Sequence, residues 1–365
     1  MTRLQAVGLA LFAILLLCSA QARAASAPAG KVKRTASPVW TLALDGPRVA
    51  YASAGRIYVW NVATGATSVV KGEYSNAAHT DNASEIAIAG TRLAWIKRQQ
   101  IGNTEQPQRL YTAAVGGAAH RLRRVLGYTD LGCGPSGSQI SGLVGSGSFL
   151  AVSTWQGHSG GTAATNRRLS LVMPARLRPI ASGPGAVVSG AAADGRIAVV
   201  PLPARTPQPE GYCDLVPPTS VEIRSANGTL LRRVATGPVG AVALSARRLV
   251  VATPSPNPSF EVYDWAAGTL THTWPVQSRV LSDFGVSGRI VVYSVAAGRT
   301  RQLHVLDLTT GKDAVLAARR GPLFYRDLAV GRLGLVYVAN TGSSLRSPGG
   351  LVFVPVAKLL RLTSG

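Results

Sequence analysis

Gly157-His158-Ser159-Gly160-Gly161 is the stretch of this 365-residue chain nearest to a catalytic motif, since it spells G-x-S-x-G. In a nucleophile elbow that serine sits on a sharp turn between a strand and a helix. Here the following residues, TAATNRR at 162–168, lead back toward a strand, and no strong carboxylate partner lies nearby in sequence. Ser159 is therefore not assigned as a nucleophile. Asp283 and Asp327 hold similar places in two repeated segments. Such a pair would suit cation binding or acid–base work, or would simply pair with surplus arginines. Histidines 79, 120, 158, 272 and 304 lack the spacing of a metal site such as H-E-x-x-H. No catalytic residue, metal or cofactor is assigned.

The elements that would position these residues are repeats. Leu44, Ile88, Val144, Ala193, Leu244, Val286 and Val330 each open a small apolar strand, a turn bearing Gly or Arg, and a second apolar strand. The anchors are 44, 56, 49, 51, 42 and 44 residues apart, around the roughly 40–50 residues of a propeller blade. Segments such as Arg56-Ile57-Tyr58-Val59-Trp60 are apolar on both faces, as a sheet covered on both sides requires. The 40 glycines and 22 prolines argue against a helical protein. The expectation is an all-β fold, a seven-bladed β-propeller of four-stranded antiparallel blades over residues 38–365. Ring closure would hide the end faces that a stacked solenoid must cap.

Three segments carry a family likeness. Tyr58-Val59-Trp60-Asn61-Val62-Ala63-Thr64-Gly65 resembles the third strand of a WD40 repeat, and Val305-Leu306-Asp307-Leu308-Thr309-Thr310-Gly311 is similar. Ala193-Asp194-Gly195-Arg196-Ile197-Ala198 resembles the turn of TolB-like propeller repeats. The resemblance implies the propeller fold and a bias toward binding, and it names no ligand.

On the propeller assignment, strands a to d run outward from the axis. The b–c and d–a connections then share one face, and the long ones are 97–108, 155–167, 201–219, 254–259 and 340–350, with 72–84 and 127–139. Long loops on a rigid scaffold are common binding sites. Tyr74, His79, Tyr128, Trp155, His158 and Tyr212 fall on them, and aromatic rings there would stack on a sugar or hold a peptide. Packing of each ring within its own loop is the alternative. Cys133 and Cys213 lie on the same face in neighbouring blades, an arrangement that allows one disulfide. On the opposite face Arg48, Arg92, Arg196, Arg248, Arg289 and Arg332 each open strand b after the a–b turn. Six guanidiniums around one end of a channel would form an anion collar, unless a basic residue merely suits that turn.

Arg3 followed by the apolar run 6–20 and Ala22-Arg23-Ala24 reads as a signal peptide, residues 1–24, with a basic flexible linker at 25–37. The expected location is secreted, periplasmic or envelope-associated, with no transmembrane segment after cleavage. Lys and Arg number 38 against 16 Asp and Glu, a formal +22, which removal of Arg3 and Arg23 lowers to +20. Such a charge points to anionic partners. Export and the lack of a known module disfavour specific nucleic-acid recognition. The reading is an exported, non-catalytic, monomeric scaffold for a protein, a peptide or an anionic envelope polymer. The alternative is a propeller hydrolase or lyase using channel-mouth carboxylates.

Overall fold

The computed structural model describes residues 30–72, 81–99, 101, 105–130, 134–157, 165–183, 186–192, 194–202, 204–207, 213–254, 256–276, 281–297, 300–320, 328–339 and 348–364. The segment read as a signal peptide lies outside them. Among the described residues no helix is long and apolar enough to cross a membrane.

The all-β expectation holds. The first antiparallel four-stranded unit is β2 (Val39–Asp45), β3 (Arg48–Ser53), β4 (Arg56–Asn61) and β5 (Thr67–Val69). The second is β6 (Asp81–Ala89), β7 (Arg92–Gln99), β8 (Glu105–Ala114) and β9 (His120–Asp130). The third is β10 (Gly134–Ser146), β11 (Phe149–Gly157), β12 (Thr165–Val172) and β13 (Leu177–Gly183). The fourth, β14 (Ala186–Ala192), β15 (Arg196–Pro201), β18 (Ser220–Ser225) and β19 (Leu230–Ala235), carries an inserted hairpin, β16 (Ala204–Pro207) and β17 (Cys213–Val216). The fifth is β20 (Ala241–Leu244), β21 (Arg248–Ala252), β22 (Ser259–Asp264) and β23 (Thr269–Pro275). The sixth is β24 (Leu281–Ser287), β25 (Ile290–Ala297), β26 (Thr300–Asp307) and β27 (Asp313–Arg320). The last contains β28 (Leu328–Gly331), β29 (Gly334–Val338) and β30 (Gly349–Pro355), with β1 (Lys31–Thr35) as its outer strand.

The innermost strands touch in cyclic order, β2 to β6, β10, β14, β20, β24, β28 and back to β2. That closure makes the chain a β-propeller. Apolar clusters fill the gaps between successive units. Trp95 and Ile88 pack on Ile57 and Val59, Leu150 and Ile140 on Leu110, and Val336 and Phe353 on Tyr51 and Trp60. Strands apolar on both faces are thus each covered twice.

Three expectations are corrected. Seven separate blades were expected, but five four-stranded sheets stand apart and one sheet has eight strands. The reason is the 127–139 segment, read as a loop. Its Gly127–Asp130 side pairs with Gly134–Gly137, so β9 runs into β10 and fuses two units. Pairing satisfies backbone groups that an open loop would leave to water. Second, Lys31–Thr35, read as flexible linker, is a strand in register with Gly349–Phe353. Third, the span 38–365, expected to be all β, ends in a helix, α1 (Val356–Ser364). Ala, Lys, Leu and Arg favour a helix, and α1 buries Leu359 and Thr363 while touching β26, β27, β29 and β30.

The loops are also shorter than expected, because β7 and β8 leave only 100–104 between them and β11 and β12 only 158–164. Tight packing between units depends on Gly142, where the β10–β11 register shifts. Its φ is +64°, and a Cβ there would lie 2.2 Å from the Val188 carbonyl oxygen of β14. Gly142→Ala is expected to cost about 2–3 kcal/mol, through a strained backbone plus overpacking against rigid main chain. An unchanged urea midpoint would refute this.

Candidate functional site

The a–b turns gather at one end of the propeller, as expected, around a cavity of about 930 Å³. Arg48, Arg92, Arg196 and Arg248 open β3, β7, β15 and β21, whereas Arg289 and Arg332 sit within their turns, ahead of β25 and β29. Most of the collar is already engaged. Arg92 donates to the Val172 carbonyl at 3.0 Å and the Ser148 carbonyl at 3.4 Å, in the next unit. Arg248 likewise reaches Gly288 O at 2.9 Å, and Arg196 reaches Ala246 O at 3.4 Å. Arg196 also pairs with Asp194 and lies 4.4 Å from the Trp265 ring centre. Arg289 pairs with the buried Asp307 at 3.0 Å. Arg92, Arg196 and Arg248 staple one unit to the next, and Arg289 ties its turn to β26 of its own unit, so the duplicated arginine is largely structural. Arg48 and Arg332 make no side-chain hydrogen bond or ion pair among the described residues.

The acids at this end are occupied too. Asp45 accepts the Gly90 N–H at 2.7 Å and the Gly147 N–H at 3.0 Å, so one carboxylate ties three turns together. Asp264 accepts the N–H groups of Ala266 and Ala267. Arg247, Arg248, Arg289 and Arg332 face Asp45, Asp194 and Asp264 around the cavity. Charge there is nearly balanced, which is a weak basis for anion recognition.

The loop-face residues fare unevenly. Tyr74, His79, His158, Ser159, Tyr212, Asp327 and Cys133 lie outside the described residues, as does the Cys213 side chain, and no disulfide occurs among the described ones. Tyr128 is 37% exposed. Trp155 is buried, and its indole N–H donates to the Ser141 hydroxyl at 2.8 Å, so it serves as wall more than as an open stacking platform. Asp283 accepts the N–H of its neighbour Phe284 at 2.9 Å. His304 is buried against Tyr293 and bonds Asp313 at 3.1 Å, with Tyr293 donating to the same carboxylate. His272 stacks on Trp274. Among the described residues no group of three or more His, Cys, Asp or Glu could hold a metal.

Sequence reading missed a second cavity, of about 630 Å³, between the second and third units. Its wall includes Arg123 of β9, Gln139 of β10, Trp155 and Gln156 of β11, and Arg167 and Arg168 of β12. Among the described residues no carboxylate lines it. Gln108 and Gln139 are joined by a hydrogen bond, and Gln108 also accepts the Ile140 N–H at 2.7 Å, which fixes the Gln139 side of the wall. Arg167 is 96% buried. Burial pushes its guanidinium below the usual value, the Glu222 carboxylate opposes that, and Arg224 adds to it. The only sequence signal was the Arg167-Arg168 pair opening an apolar strand, where alternation sends neighbours to opposite faces.

Beside this cavity β9 carries His120, Arg121, Arg123 and Arg124, all exposed, with no acid up to Tyr128. Arg124 stands directly opposite Arg109 of β8. Like charges opposite one another destabilise a sheet.

No protein-family model matches the chain, and the search of curated proteins finds no match. Among solved structures, it is similar to the computationally designed Ika8 protein (14% identity, 88% of this chain and 98% of that chain, TM-score 0.45). It is also similar to the WD40 beta propeller domain of Doa1 (9% identity, 89% and 97%, TM-score 0.48) and to a chain of the Mitotic Checkpoint Complex (13% identity, 92% and 94%, TM-score 0.48). Likenesses this distant say nothing of function, and the propeller assignment rests on the strand pairing and the cyclic contacts.

Proposed function

We propose that this chain is a non-catalytic binding scaffold, a seven-bladed propeller whose second and third blades share a sheet, and that it holds an anionic polymer of the cell envelope. The observation that carries the binding reading is the exposed arginine row of β9. Three guanidiniums with no carboxylate partner among the described residues, one of them facing Arg109, cost stability in the free protein. A polyanion would relieve that repulsion. The apolar run at 6–20 behind Arg3 supports a place outside the cytoplasm, where such polymers occur.

The test is binding of the purified protein to fluorescent polyphosphate and polyglutamate across a salt series. Affinity should fall steeply as salt rises. Arg121→Ala with Arg124→Ala should weaken it roughly 30-fold at low salt, at about 1 kcal/mol for each surface cation. Binding that ignores both salt and these substitutions would refute the reading and favour a protein or peptide partner on the loop face.

A further inference from the structure

We propose that the cavity among the a–b turns, about 930 Å³ in volume, is a binding site for a small amphipathic acid, an apolar body bearing one carboxylate. Its wall is apolar where the innermost strands end. Leu44, Leu244, Val286 and Val330, the last apolar residues of β2, β20, β24 and β28, all line it. Leu44 and Val330 pack on the inner strand of the preceding unit. A Cβ on Gly331 would lie 3.2 Å from Leu44 Cδ2, and one on Gly285 would lie 2.8 Å from Val330 Cγ2. The inner strands thus meet closely, with apolar side chains in the gaps. The cavity continues into the seam between the fifth and sixth units. Val262 and Leu308 line it there and belong to one apolar cluster, and His272 is the cross-strand partner of Val262. A pocket of this size, with apolar walls and a few polar groups, is a common setting for a small-molecule site.

The charged groups left over at the rim are donors. Both Asp45 oxygens accept backbone N–H groups, Asp194 pairs with Arg196, and Asp264 caps its own turn. Arg248 and Arg289 are engaged by Gly288 O and Asp307. Arg247 and Arg332 also line the cavity, and neither makes a side-chain hydrogen bond or ion pair among the described residues. Nearly balanced charge gives little field to hold a polyanion. A carboxylate on a buried apolar body needs only one guanidinium fork. The body would supply affinity by leaving water, and the fork would set its direction. This inference does not require the polymer reading, because the β9 arginines and this cavity are probed by different ligands and different substitutions.

The experiment is titration calorimetry of the full chain with octanoate and 2-naphthoate, and with acetate and octanol as probes that each lack one half of the ligand. At least one acid should bind one to one, with Kd on the order of 0.1 mM and a negative heat-capacity change. Acetate and octanol should each bind at least about 10-fold more weakly. Tighter octanoate binding assigns an acyl chain, and tighter 2-naphthoate binding an aromatic acid. Arg247→Met with Arg332→Met should weaken acid binding about 10-fold. Tm in ligand-free buffer should stay unchanged, since neither guanidinium has a partner to lose. Ser287→Trp, at the cavity wall, should block the body while both guanidiniums remain, with Tm reporting that the protein stays folded. Absence of one-to-one binding by either acid overturns the proposal. So does acetate or octanol binding as tightly as the acids, or a folded variant of either kind that binds them like the parent.

Discussion

A chain starting at Ser37 is expected to unfold about 5 °C lower than the full chain and to associate as its concentration rises. Such a chain lacks β1, whose five residues pair with Gly349–Phe353 and supply the outer strand of the last sheet. At about 1 kcal/mol net for each backbone hydrogen bond, five register pairs amount to about 3–5 kcal/mol. Side-chain burial adds little, since Val32 is 63% exposed. Lys31 adds a tie across the ring seam, donating to Val62 O at 2.6 Å and Ala63 O at 3.2 Å in the first unit. Without β1, β30 becomes a bare edge, and a bare edge invites pairing with another chain. A peptide covering residues 30–36, added in trans, should restore part of the lost Tm by strand addition. A truncated chain that melts with the parent and stays monomeric would show that the seam is held by the apolar cluster of Val336, Phe353, Tyr51 and Trp60 alone.

Glu222→Gln is expected to cost about 3 kcal/mol at pH 7, since it strips the one carboxylate from among Arg167, Arg224 and Arg233. Burial by itself pushes the Glu222 carboxyl up. Hydrogen bonds from Arg233 and Arg224, with the fields of Arg224 and Arg167, outweigh burial and hold it below its ordinary 4.5. A carboxyl depressed on folding stabilises the protein fully above its unfolded pKa, and that contribution is lost as pH falls through the folded pKa. The difference between parent and Glu222→Gln should therefore be constant above about pH 5 and shrink below about pH 4.5. Urea unfolding at a series of pH values measures this. A gap that persists undiminished at pH 3 would mean that Glu222 acts by shape and hydrogen bonding, with charge playing no part.

Much of the fold was legible because blades repeat locally. Each a–b turn joins strands close in sequence, and Gly46, Gly90, Gly147, Gly195 and Gly288 take positive φ there, a conformation that glycine adopts freely. The apolar strands between those turns showed that both faces would be covered. The collar was legible as a position but not as a state. Nothing in the spacing of Arg92, Arg196 and Arg248 says that their guanidiniums would bond carbonyls of the next unit.

By itself the sequence determined the strand pattern, the turn positions, the ring as a way to cover two-faced strands, and the surplus of positive charge. These depend on residues close along the chain or on composition. Only the tertiary structure decided three other things. It recruited Lys31–Thr35 as the closing strand, because an exposed basic segment bears no apolar alternation to announce it and gains its partner from residues more than 300 positions away. It joined the second and third units through β9 and β10, because polar extended backbone pairs wherever its neighbour lies within reach. And it buried Arg167 against the fourth unit, because the environment of a side chain is set by what the whole ring brings against it: here Glu222, already claimed by Arg224 and Arg233.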